Sequence, residues 1–310
     1  MNIDFTGKRV LVAGVADDVG FGFAIAKQFA EAGAKVCIAG WPPALGIFET
    51  VLRRGKLDES RKMSDGKLLE FERIYPLDAS FDTLDQAPPA IRENKRYAER
   101  GDFSIQGLVD RMVTDFGPQP VDVVIHSLAN GPEVAKPLLN TTRQGYLAAL
   151  SASSYSFVSM VQRFAPLMKP GSSFLSLTYL ASQRVIPRYG GGMSSAKAAL
   201  ESDTRYLAFE AGRRFGVRVN TISAGPYASR AANVTGAISA IVNFYQQHSP
   251  RPECLSPEDV AFSTLFLSSA QAAAITGTTL YVDNGFHAMG KAMGDGDLDW
   301  VLKGGAVAQE

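Results

Sequence analysis

Residues 8–22 read Lys8-Arg9-Val10-Leu11-Val12-Ala13-Gly14-Val15-Ala16-Asp17-Asp18-Val19-Gly20-Phe21-Gly22, and this stretch decides the fold. Its first half is a run of apolar and β-branched residues that predicts a buried strand, which Gly14 ends. Apolar residues then recur at helical spacing from Phe21 to Ala32. A second apolar run, Lys35–Ala39, predicts the next strand. This order of strand, glycine-rich turn, helix and strand predicts a βαβ unit of a parallel sheet with a right-handed crossover.

The same alternation continues along the chain. Further strands are predicted at Phe71–Leu77, Val121–His126, Ser173–Thr178, Val217–Ser223 and Thr279–Val282. Further helices are predicted at Ser104–Phe116, Gln144–Met168, Met193–Phe215 and Pro257–Ser268. No linker rich in Pro, Ser or Gly divides the pattern, so residues 1–293 are predicted to form one doubly wound α/β domain of Rossmann type with a seven-stranded parallel sheet.

Two stretches interrupt the alternation, at about residues 41–73 and 81–102. Both are charged and contain proline, and they are expected to be surface insertions, mostly solvated loops with one helical piece near Leu45–Arg54. Residues 294–310 are expected to form a C-terminal tail without an assigned function.

Composition excludes several classes of protein. Among 310 residues, 31 are Lys or Arg and 31 are Asp or Glu, so the net charge is zero and no broad basic surface for nucleic acid is expected. No run of 18 apolar residues is present, and the first eight residues do not resemble a targeting peptide, so no membrane association is expected. The two cysteines lack metal-ligand spacing; we expect no metal and no disulfide, with Cys37 buried in the second strand.

The glycine-rich turn also predicts a function. Glycines between a strand and a helix let the backbone approach a pyrophosphate, and the free N–H groups of the helix start attract it. The sequence therefore predicts dinucleotide binding, although a glycine turn kept for packing alone is the alternative. After the second strand, Gly40-Trp41-Pro42 offers neither an acid for a ribose hydroxyl nor a cation for a 2′-phosphate. Trp41 is expected to form a flat wall, which favours NADH unless Arg53 or Arg54 folds back.

The ends of the third and fourth strands supply further residues of the expected cofactor site. Asp78-Ala79-Ser80 is placed to receive the adenine amino group, with a turn cap as the plain alternative for Asp78. Ser127-Leu128-Ala129-Asn130 supplies small residues where the cofactor is expected to cross the sheet edge at the switch point.

Two tyrosines and a lysine follow the fifth strand. Tyr179, Tyr189 and Lys197 lie past its carboxyl end, where ligands bind in open α/β sheets. Three glycines after Tyr189 are expected to form an irregular start of the next helix, leaving Lys197 one turn inside it and facing the tyrosine. Tyr179 and Tyr189 are candidates for acid and electrostatic roles, and packing is the alternative.

Together with Ser223-Ala224-Gly225-Pro226 after the sixth strand, these motifs resemble the NADH-dependent enoyl-acyl-carrier-protein (enoyl-ACP) reductases of type II fatty acid synthesis. The resemblance covers Gly7 to about Met293. Trp41, Asp78-Ala79-Ser80 and the insertions are most similar to the plant and apicomplexan branch. The resemblance implies a short-chain dehydrogenase/reductase subunit of a homotetramer, a substrate carried by acyl carrier protein, NADH as cofactor, and inhibition by triclosan. It also implies that the mature protein lies in a plastid or apicoplast stroma, or in the cytoplasm of a bacterium.

The implied reaction reduces the C2=C3 double bond of a trans-2-enoyl thioester, the last step of each elongation cycle. Hydride at C3 drives negative charge onto the thioester oxygen, so a fixed donor is needed there. Tyr189 is the expected donor, Lys197 is expected to hold the nicotinamide ribose, and Tyr179 to line the acyl pocket.

The resemblance assigns further residues. The cofactor site is expected to comprise Gly14, Ala16, Asp18, Gly20, Phe21, Gly22, Trp41, Asp78, Ala79, Ser80, Ser127, Leu128, Ala129, Asn130, Thr178, Lys197, Ala224, Gly225, Pro226 and Ser229. The substrate or inhibitor pocket is expected to comprise Tyr179, Tyr189, Met193, Pro226, Ala231, Ala232, Val234 and Ile238. Residues 227–242 are expected to form a substrate lid, in which Tyr227 and Ala228 depart from the family pattern.

Two other functions fit parts of the sequence. A short-chain reductase of 3-ketoacyl thioesters or ketones typically carries lysine four residues after its tyrosine, where this chain has Met193. A catalytically silent dinucleotide sensor is compatible with the fold, because fold alone does not establish function. The presence of both Tyr189 and Lys197 argues against the sensor.

Overall fold

Seven parallel strands form one sheet in the order β3-β2-β1-β4-β5-β6-β7 in the computed structural model, which describes residues 3–228, 238–294 and 297–302. The strands are β1 (Arg9–Ala13), β2 (Lys35–Gly40), β3 (Arg73–Pro76), β4 (Val123–His126), β5 (Ser173–Thr178), β6 (Arg218–Ala224) and β7 (Thr279–Val282). Because the chain runs outward from β1 to β3 and then returns to β4, the direction of winding reverses between β1 and β4. The predicted doubly wound fold with seven parallel strands is confirmed, and the crevice at the reversal is the place where such sheets bind ligands.

Helices cover both faces of the sheet. They are α1 (Phe21–Glu31), α2 (Pro42–Arg53), α3 (Asp58–Arg61), α4 (Pro89–Arg92), α5 (Lys95–Ala98), α6 (Ile105–Phe116), α7 (Arg143–Leu150), α8 (Ser156–Phe164), α9 (Met193–Phe215), α10 (Ile238–His248), α11 (Pro257–Ser268) and α12 (Asp297–Leu302). In the described part of the chain, none of these helices is long and apolar enough to cross a bilayer.

The period of two along each strand divides the core into two layers. In β1, Leu11 and Ala13 point to one face and Val10 and Val12 to the other, and all four are fully buried. The first layer is filled from α6, α8 and α9 by Leu108, Met112, Phe157, Met160, Phe164 and Leu200. The second is filled from α1, α2 and α11 by Phe23, Ile25, Phe29, Phe48, Val260 and Leu265. Burial on both faces explains why the strands read as continuous apolar runs.

The helix predicted over Gln144–Met168 is not continuous. It consists of α7, a π-helical turn at Ser151–Tyr155, α8 and a 3₁₀ turn at Ala165–Leu167. Serine hydroxyls compete with the helical backbone here: Ser156 Oγ donates to the Ala152 carbonyl at 2.8 Å, and Ser153 Oγ donates to the Asn130 carbonyl at 3.0 Å. The π turn thus directs Ser153 toward the end of β4.

The insertions contain more structure than the expected loops. The helical piece predicted near Leu45–Arg54 extends from Pro42 to Arg53 as α2, and the second insertion contains α4 and α5. The second insertion also has a small core of its own, in which Ala87, Tyr97 and Phe103 are 1%, 4% and 1% exposed. Its apolar residues are too irregularly spaced for a helix or strand period, so no pattern in the sequence indicated this packing.

The two cysteines differ in environment. Cys37 lies fully buried in β2, as expected, and burial raises the pKa of its thiol to about 12. Cys254 is exposed, and Gln246 Nε2 donates to its Sγ at 2.9 Å.

We expect Gly14→Ala to destabilise the fold strongly. Gly14 has φ +108°, and a Cβ at this position would lie 2.0 Å from the Ser127 carbonyl oxygen. Backbone strain and the clash together should lower the free energy of unfolding in urea by at least about 2 kcal/mol. Gly171→Ala is the matched control, because Gly171 has φ +89° and no neighbouring atom within 4 Å of such a Cβ. Equal losses of unfolding free energy in both variants would show that the clash with the Ser127 carbonyl adds nothing to the effect of backbone strain.

Candidate active site

The site lies at the carboxyl ends of β1 to β6. After β1, Gly14 N–H donates to the Ala39 carbonyl at 2.8 Å, which bends the chain toward β2. Asp17 Oδ1 then accepts from the backbone N–H groups of Val19 and Gly20, each at 3.1 Å. α1 begins at Phe21 with no side chain capping its first turn. An uncapped start of an 11-residue helix beside a glycine turn suits the phosphates of a dinucleotide.

Two contacts fix this turn to more distant segments. Asp18 Oδ2 accepts from Ser60 Oγ at 2.5 Å, which joins the turn to α3 in the first insertion. The Phe21 ring packs on that of Tyr227, with centroids 5.6 Å apart. The departure of Tyr227 from the family pattern therefore places an aromatic contact between the predicted lid and the glycine-rich turn.

The structure brings Trp41 and Asp78 together, as expected, but through a residue that sequence reasoning missed. Trp41 Nε1–H donates to the Tyr97 hydroxyl at 2.7 Å, and that hydroxyl donates to Asp78 Oδ2 at 2.9 Å. Asp78 Oδ1 accepts from the Ser80 backbone N–H at 3.1 Å, so the turn-cap alternative also holds. The indole remains half exposed and available as a flat wall.

The alternative that Arg53 or Arg54 reaches this site is disfavoured. Trp41 precedes α2 and Arg53 ends it, and a 12-residue helix is about 18 Å long. The end of β2 therefore offers no nearby cation from α2 for a 2′-phosphate.

The end of β4 is held by the π turn. The Asn130 backbone N–H donates to Ser153 Oγ at 2.9 Å, while the Ser153 hydroxyl donates back to the Asn130 carbonyl. Ser153 thus fixes the backbone of Asn130, the last residue of the predicted cofactor segment Ser127 to Asn130. The run of serines at residues 151–156 was the only signal for this role, and it has no helical or strand period.

A buried histidine supports the centre of the site. His126, in β4, is fully buried, with Nδ1 2.8 Å from Ser176 Oγ and Nε2 2.8 Å from Ser156 Oγ. Burial, followed by the positive charge of Lys197, lowers the pKa of His126 to about 3. The imidazole therefore stays neutral and acts as a structural bridge between strand and helix.

Lys197 lies one turn inside α9, as expected. It is 4% exposed, and its ammonium donates to the Leu177 carbonyl at 2.8 Å. Burial lowers the pKa of Lys197 to about 8, and Glu201, one helical turn further, opposes this shift. Because this pKa lies close to neutral pH, the protonation of Lys197 responds readily to a ligand that pairs with its ammonium.

Glu201 is a further residue that sequence reasoning missed. Its carboxylate is 4% exposed and accepts from Thr178 Oγ1 at 2.8 Å and from Gln183 Nε2 at 3.1 Å. It thereby holds the predicted cofactor residue Thr178 and the loop after β5 beside Lys197. The spacing of four residues from Lys197 within a predicted helix could have indicated this.

Tyr179 and Tyr189 face each other. Their rings form an edge-to-face pair with centroids 5.0 Å apart, and burial raises the pKa of both hydroxyls above the usual range. Both phenols are therefore protonated at neutral pH and able to donate a hydrogen bond. As expected, the glycines after Tyr189 form an irregular segment: Gly190 and Gly191 donate to the carbonyls of Val134 and Lys136.

A small cavity of about 20 Å³ lies between the end of β6 and α10. Pro226 and Gly225 line it, together with Tyr245 and Val242. The Tyr245 ring lies parallel to that of Tyr179, with centroids 6.5 Å apart, and stacks on Phe286. These aromatic residues extend the expected pocket wall.

Two predicted pocket residues, Met193 and Ile238, do not line this cavity. Met193 is buried, and its thioether packs beneath the site near Ser153 Oγ, at 3.6 Å. Ile238 is the buried first residue of α10. Ser229, Ala231, Ala232 and Val234, and most of the predicted lid, lie outside the described residues. The lid therefore stays a prediction.

The described residues fit a nicotinamide dinucleotide. The hydroxyl of Ser223 is buried without a hydrogen-bond partner among the described residues, which leaves a donor for a ligand at the end of β6. The uncapped start of α1, the Trp41 indole and the Lys197 ammonium offer partners for phosphate, adenine and ribose. Within the described ranges, no three His, Cys, Asp or Glu side chains are grouped so as to hold a metal ion.

The fold and this site define a dinucleotide-binding reductase of the short-chain dehydrogenase/reductase type. Residues 100–287 match the family model described as Enoyl-(Acyl carrier protein) reductase. The chain is 55% identical to the chloroplastic enoyl-[acyl-carrier-protein] reductase [NADH] of Arabidopsis thaliana, over 94% of this chain and 74% of that protein. It is 56% identical to the chloroplastic enzyme 1 of Oryza sativa subsp. japonica, over 94% and 77%.

A solved structure agrees with these relatives. The enoyl-acyl-carrier-protein reductase of Plasmodium berghei, crystallised with triclosan, superposes with a TM-score of 0.89 at 42% identity, over 92% of this chain and 99% of that one. The chain belongs to the NADH-dependent enoyl-ACP reductases. The resemblance seen in the sequence is confirmed, as are the class of reaction and the cofactor that it implies.

We expect NADH binding to weaken as pH rises through about 8. Burial lowers the pKa of Lys197 to about 8, so in this range its ammonium loses the charge that is expected to strengthen its hydrogen bonds to the ribose hydroxyls. Lys197→Met should bind NADH about tenfold more weakly at pH 7 and show no break near pH 8 in a fluorescence titration. Lys35→Met, at an exposed lysine, is the control. A wild-type pH profile in Lys197→Met would contradict the role of this ammonium.

Proposed function

We propose that this chain reduces the C2=C3 double bond of trans-2-enoyl-ACP with NADH, and that Tyr189 and Lys197 carry the catalysis. The observation that carries this assignment is the protonated Tyr189 paired with Tyr179 at the end of β5, with Lys197 one turn inside the helix that follows. Bound NADH would supply the hydride for C3, and a proton taken up at C2 would complete the reduction. Tyr189 donates a hydrogen bond to the thioester oxygen, where negative charge develops.

The other residues orient the reactants. Lys197 holds the ribose hydroxyls and adds a positive charge near the developing enolate. Tyr179 and Tyr245 form one wall of the acyl pocket, and Pro226 leaves room beside the nicotinamide ring. Because the site lies among partly buried aromatic rings, its hydrogen bonds act at lower effective dielectric than in water. A diphenyl ether such as triclosan is expected to bind at the same aromatic wall.

The 3-ketoacyl reductase alternative receives no support from this site. Met193, at the position where that group carries its lysine, is buried and packs on Ser153. Crotonyl thioester should therefore be reduced, and acetoacetyl thioester should not.

Tyr189→Phe tests the mechanism. Removing the hydroxyl should lower kcat for crotonyl thioester by about 10²-fold or more and leave KM nearly unchanged, because the lost bond strengthens in the transition state. Tyr179→Phe is the matched control and should affect KM for the acyl substrate more than kcat. An unchanged kcat in Tyr189→Phe, with the fold intact by circular dichroism, would exclude Tyr189 as the donor.

The substrate arrives on acyl carrier protein, and the subunits form a homotetramer in this proposal. Apolar side chains stand exposed on two separate groups of helices. On α7 to α9 and the π turn these are Leu147, Tyr155, Tyr206 and Phe209, and on α11 they are Phe262 and Phe266. Exposed apolar clusters of this kind commonly mark interfaces, and two of them allow two different two-fold contacts.

Charges placed on one cluster should dissociate the tetramer. We expect Tyr206→Glu with Phe209→Glu to yield smaller oligomers by light scattering, because the carboxylates cannot be buried unpaired in an interface. Ile47→Glu, on the equally exposed face of α2, is the control and should leave the assembly intact. A tetramer that survives the double substitution would place the interface elsewhere.

The mature protein is assigned to a plastid stroma. The chloroplastic relatives at 55% and 56% identity support this location, whereas the bacterial relative from Nostoc is 33% identical. Bacterial cytoplasm is the alternative. Immunodetection in isolated plastids of the source cells distinguishes the two.

A further inference from the structure

A chain of hydrogen bonds crosses the adenine end of the proposed cofactor site. It runs from Trp41 Nε1 to the Tyr97 hydroxyl at 2.7 Å and from that hydroxyl to Asp78 Oδ2 at 2.9 Å. Trp41 follows β2 and Asp78 follows β3, whereas Tyr97 belongs to the second insertion. A residue from outside the alternating βα units thus joins the two side chains expected to receive adenine.

Tyr97 is held rigidly in this position. It is 4% exposed, and its ring meets that of Phe103 edge to face, with centroids 4.8 Å apart. The Asp78 backbone N–H donates to the Phe103 carbonyl at 2.7 Å, which fixes the same segment to the end of β3. Arg100 forms a bidentate ion pair with Glu49 of α2 at 3.1 and 2.8 Å. The chain around the second insertion is therefore fixed to the end of β3 through Phe103 and to α2, which follows Trp41, through Arg100.

The donor and acceptor roles are defined along this chain. The indole N–H only donates, so the Tyr97 oxygen accepts from Trp41 and gives its single proton to Asp78. Burial and the Asp78 charge raise the pKa of Tyr97, so the phenol keeps that proton. Asp78 accepts one bond on each oxygen, from Tyr97 and from the Ser80 N–H, and lone pairs remain on both oxygens.

We propose that Tyr97 is a positioning residue for the adenine of NADH, which it serves by fixing the carboxylate of Asp78. The proposal rests on the cofactor site of the proposed function. Without the hydroxyl, the carboxylate keeps the bond from the Ser80 N–H to Oδ1, but Oδ2 is no longer fixed toward the adenine amino group. Tyr97 itself does not contact the reacting atoms, so it influences cofactor affinity and selectivity rather than the chemical step.

The chemistry of the base provides a selective probe. Adenine presents a 6-amino donor to a carboxylate, whereas hypoxanthine presents a carbonyl oxygen, which a carboxylate repels. Wild-type protein should therefore bind NADH more tightly than reduced nicotinamide hypoxanthine dinucleotide. A fixed carboxylate maintains this preference, and a rotating carboxylate loses it.

Isothermal titration calorimetry with both dinucleotides tests the proposal on the full chain. Tyr97→Phe keeps the ring against Phe103 and should raise the dissociation constant of NADH about tenfold, with that of the hypoxanthine analogue nearly unchanged. In turnover assays KM for NADH should rise and kcat should stay at the wild-type value. Asp78→Asn should lose the same selectivity.

The matched control is Tyr75→Phe. Tyr75 is likewise 4% exposed and donates its hydroxyl proton to a carboxylate, Asp115 Oδ2 at 2.6 Å, in a part of the fold that takes no role in the cofactor site. This variant should leave both dissociation constants unchanged.

The possible results distinguish a failure of the positioning role of Tyr97 from a failure of the proposed function. Equal weakening of both dinucleotides in Tyr97→Phe, or a retained preference for NADH, would overturn the positioning role and leave the function intact. Equal wild-type affinities for the two dinucleotides, or an unaltered preference in Asp78→Asn, would overturn the placement of adenine at Asp78 and the inference with it. Wild-type protein that fails to oxidise NADH with crotonyl thioester would overturn the proposed function itself.

Discussion

The contact between the Gly14 turn and the end of β4 is the constraint on which the site depends. The chain leaves β1 with φ +108° at Gly14 and passes so close to the Ser127 carbonyl that no side chain fits between them. This approach sets the position of the helix start that faces the phosphates and the width of the crevice between β1 and β4. Because winding reverses at the same place, the turn and the β4 end meet without a covering helix between them.

A second constraint is the burial of charge behind the tyrosine pair. An ammonium at 4% exposure is costly unless polar groups surround it. The Leu177 carbonyl, the Glu201 carboxylate one turn away and a histidine that stays neutral together make the position tolerable. The same arrangement leaves Thr178 and Gln183 fixed by Glu201, so the loop before Tyr189 is positioned by the groups that stabilise Lys197.

Sequence periodicity defined the elements whose burial is regular. The bounds of β5, β7, α9 and α11 agree with those predicted, because each is a continuous run between clear start and stop signals. The π turn at Ser151–Tyr155 escaped prediction, because its cause is hydrogen bonding by serine side chains rather than a pattern of hydrophobicity.

The residues of the candidate site also differ in whether the sequence alone could indicate them. Gly14, Trp41, Asp78, Tyr179, Tyr189 and Lys197 could be selected as candidates, since they stand at strand ends or fixed spacings in a motif, and their roles stay predictions. Tyr97 and Ser153 could not, because each acts on a segment far away in sequence, and only the folded chain brings the partners together.

The contrasting environments of the two cysteines have a practical consequence. Cys37 is sealed within the sheet, with a thiol pKa of about 12, so a maleimide dye cannot reach its thiolate while the protein is folded. Cys254 is exposed and bonded to Gln246 on α10. The native sequence therefore offers a single attachment point for a fluorophore, next to α10, and spectroscopy on that helix requires no engineered thiol.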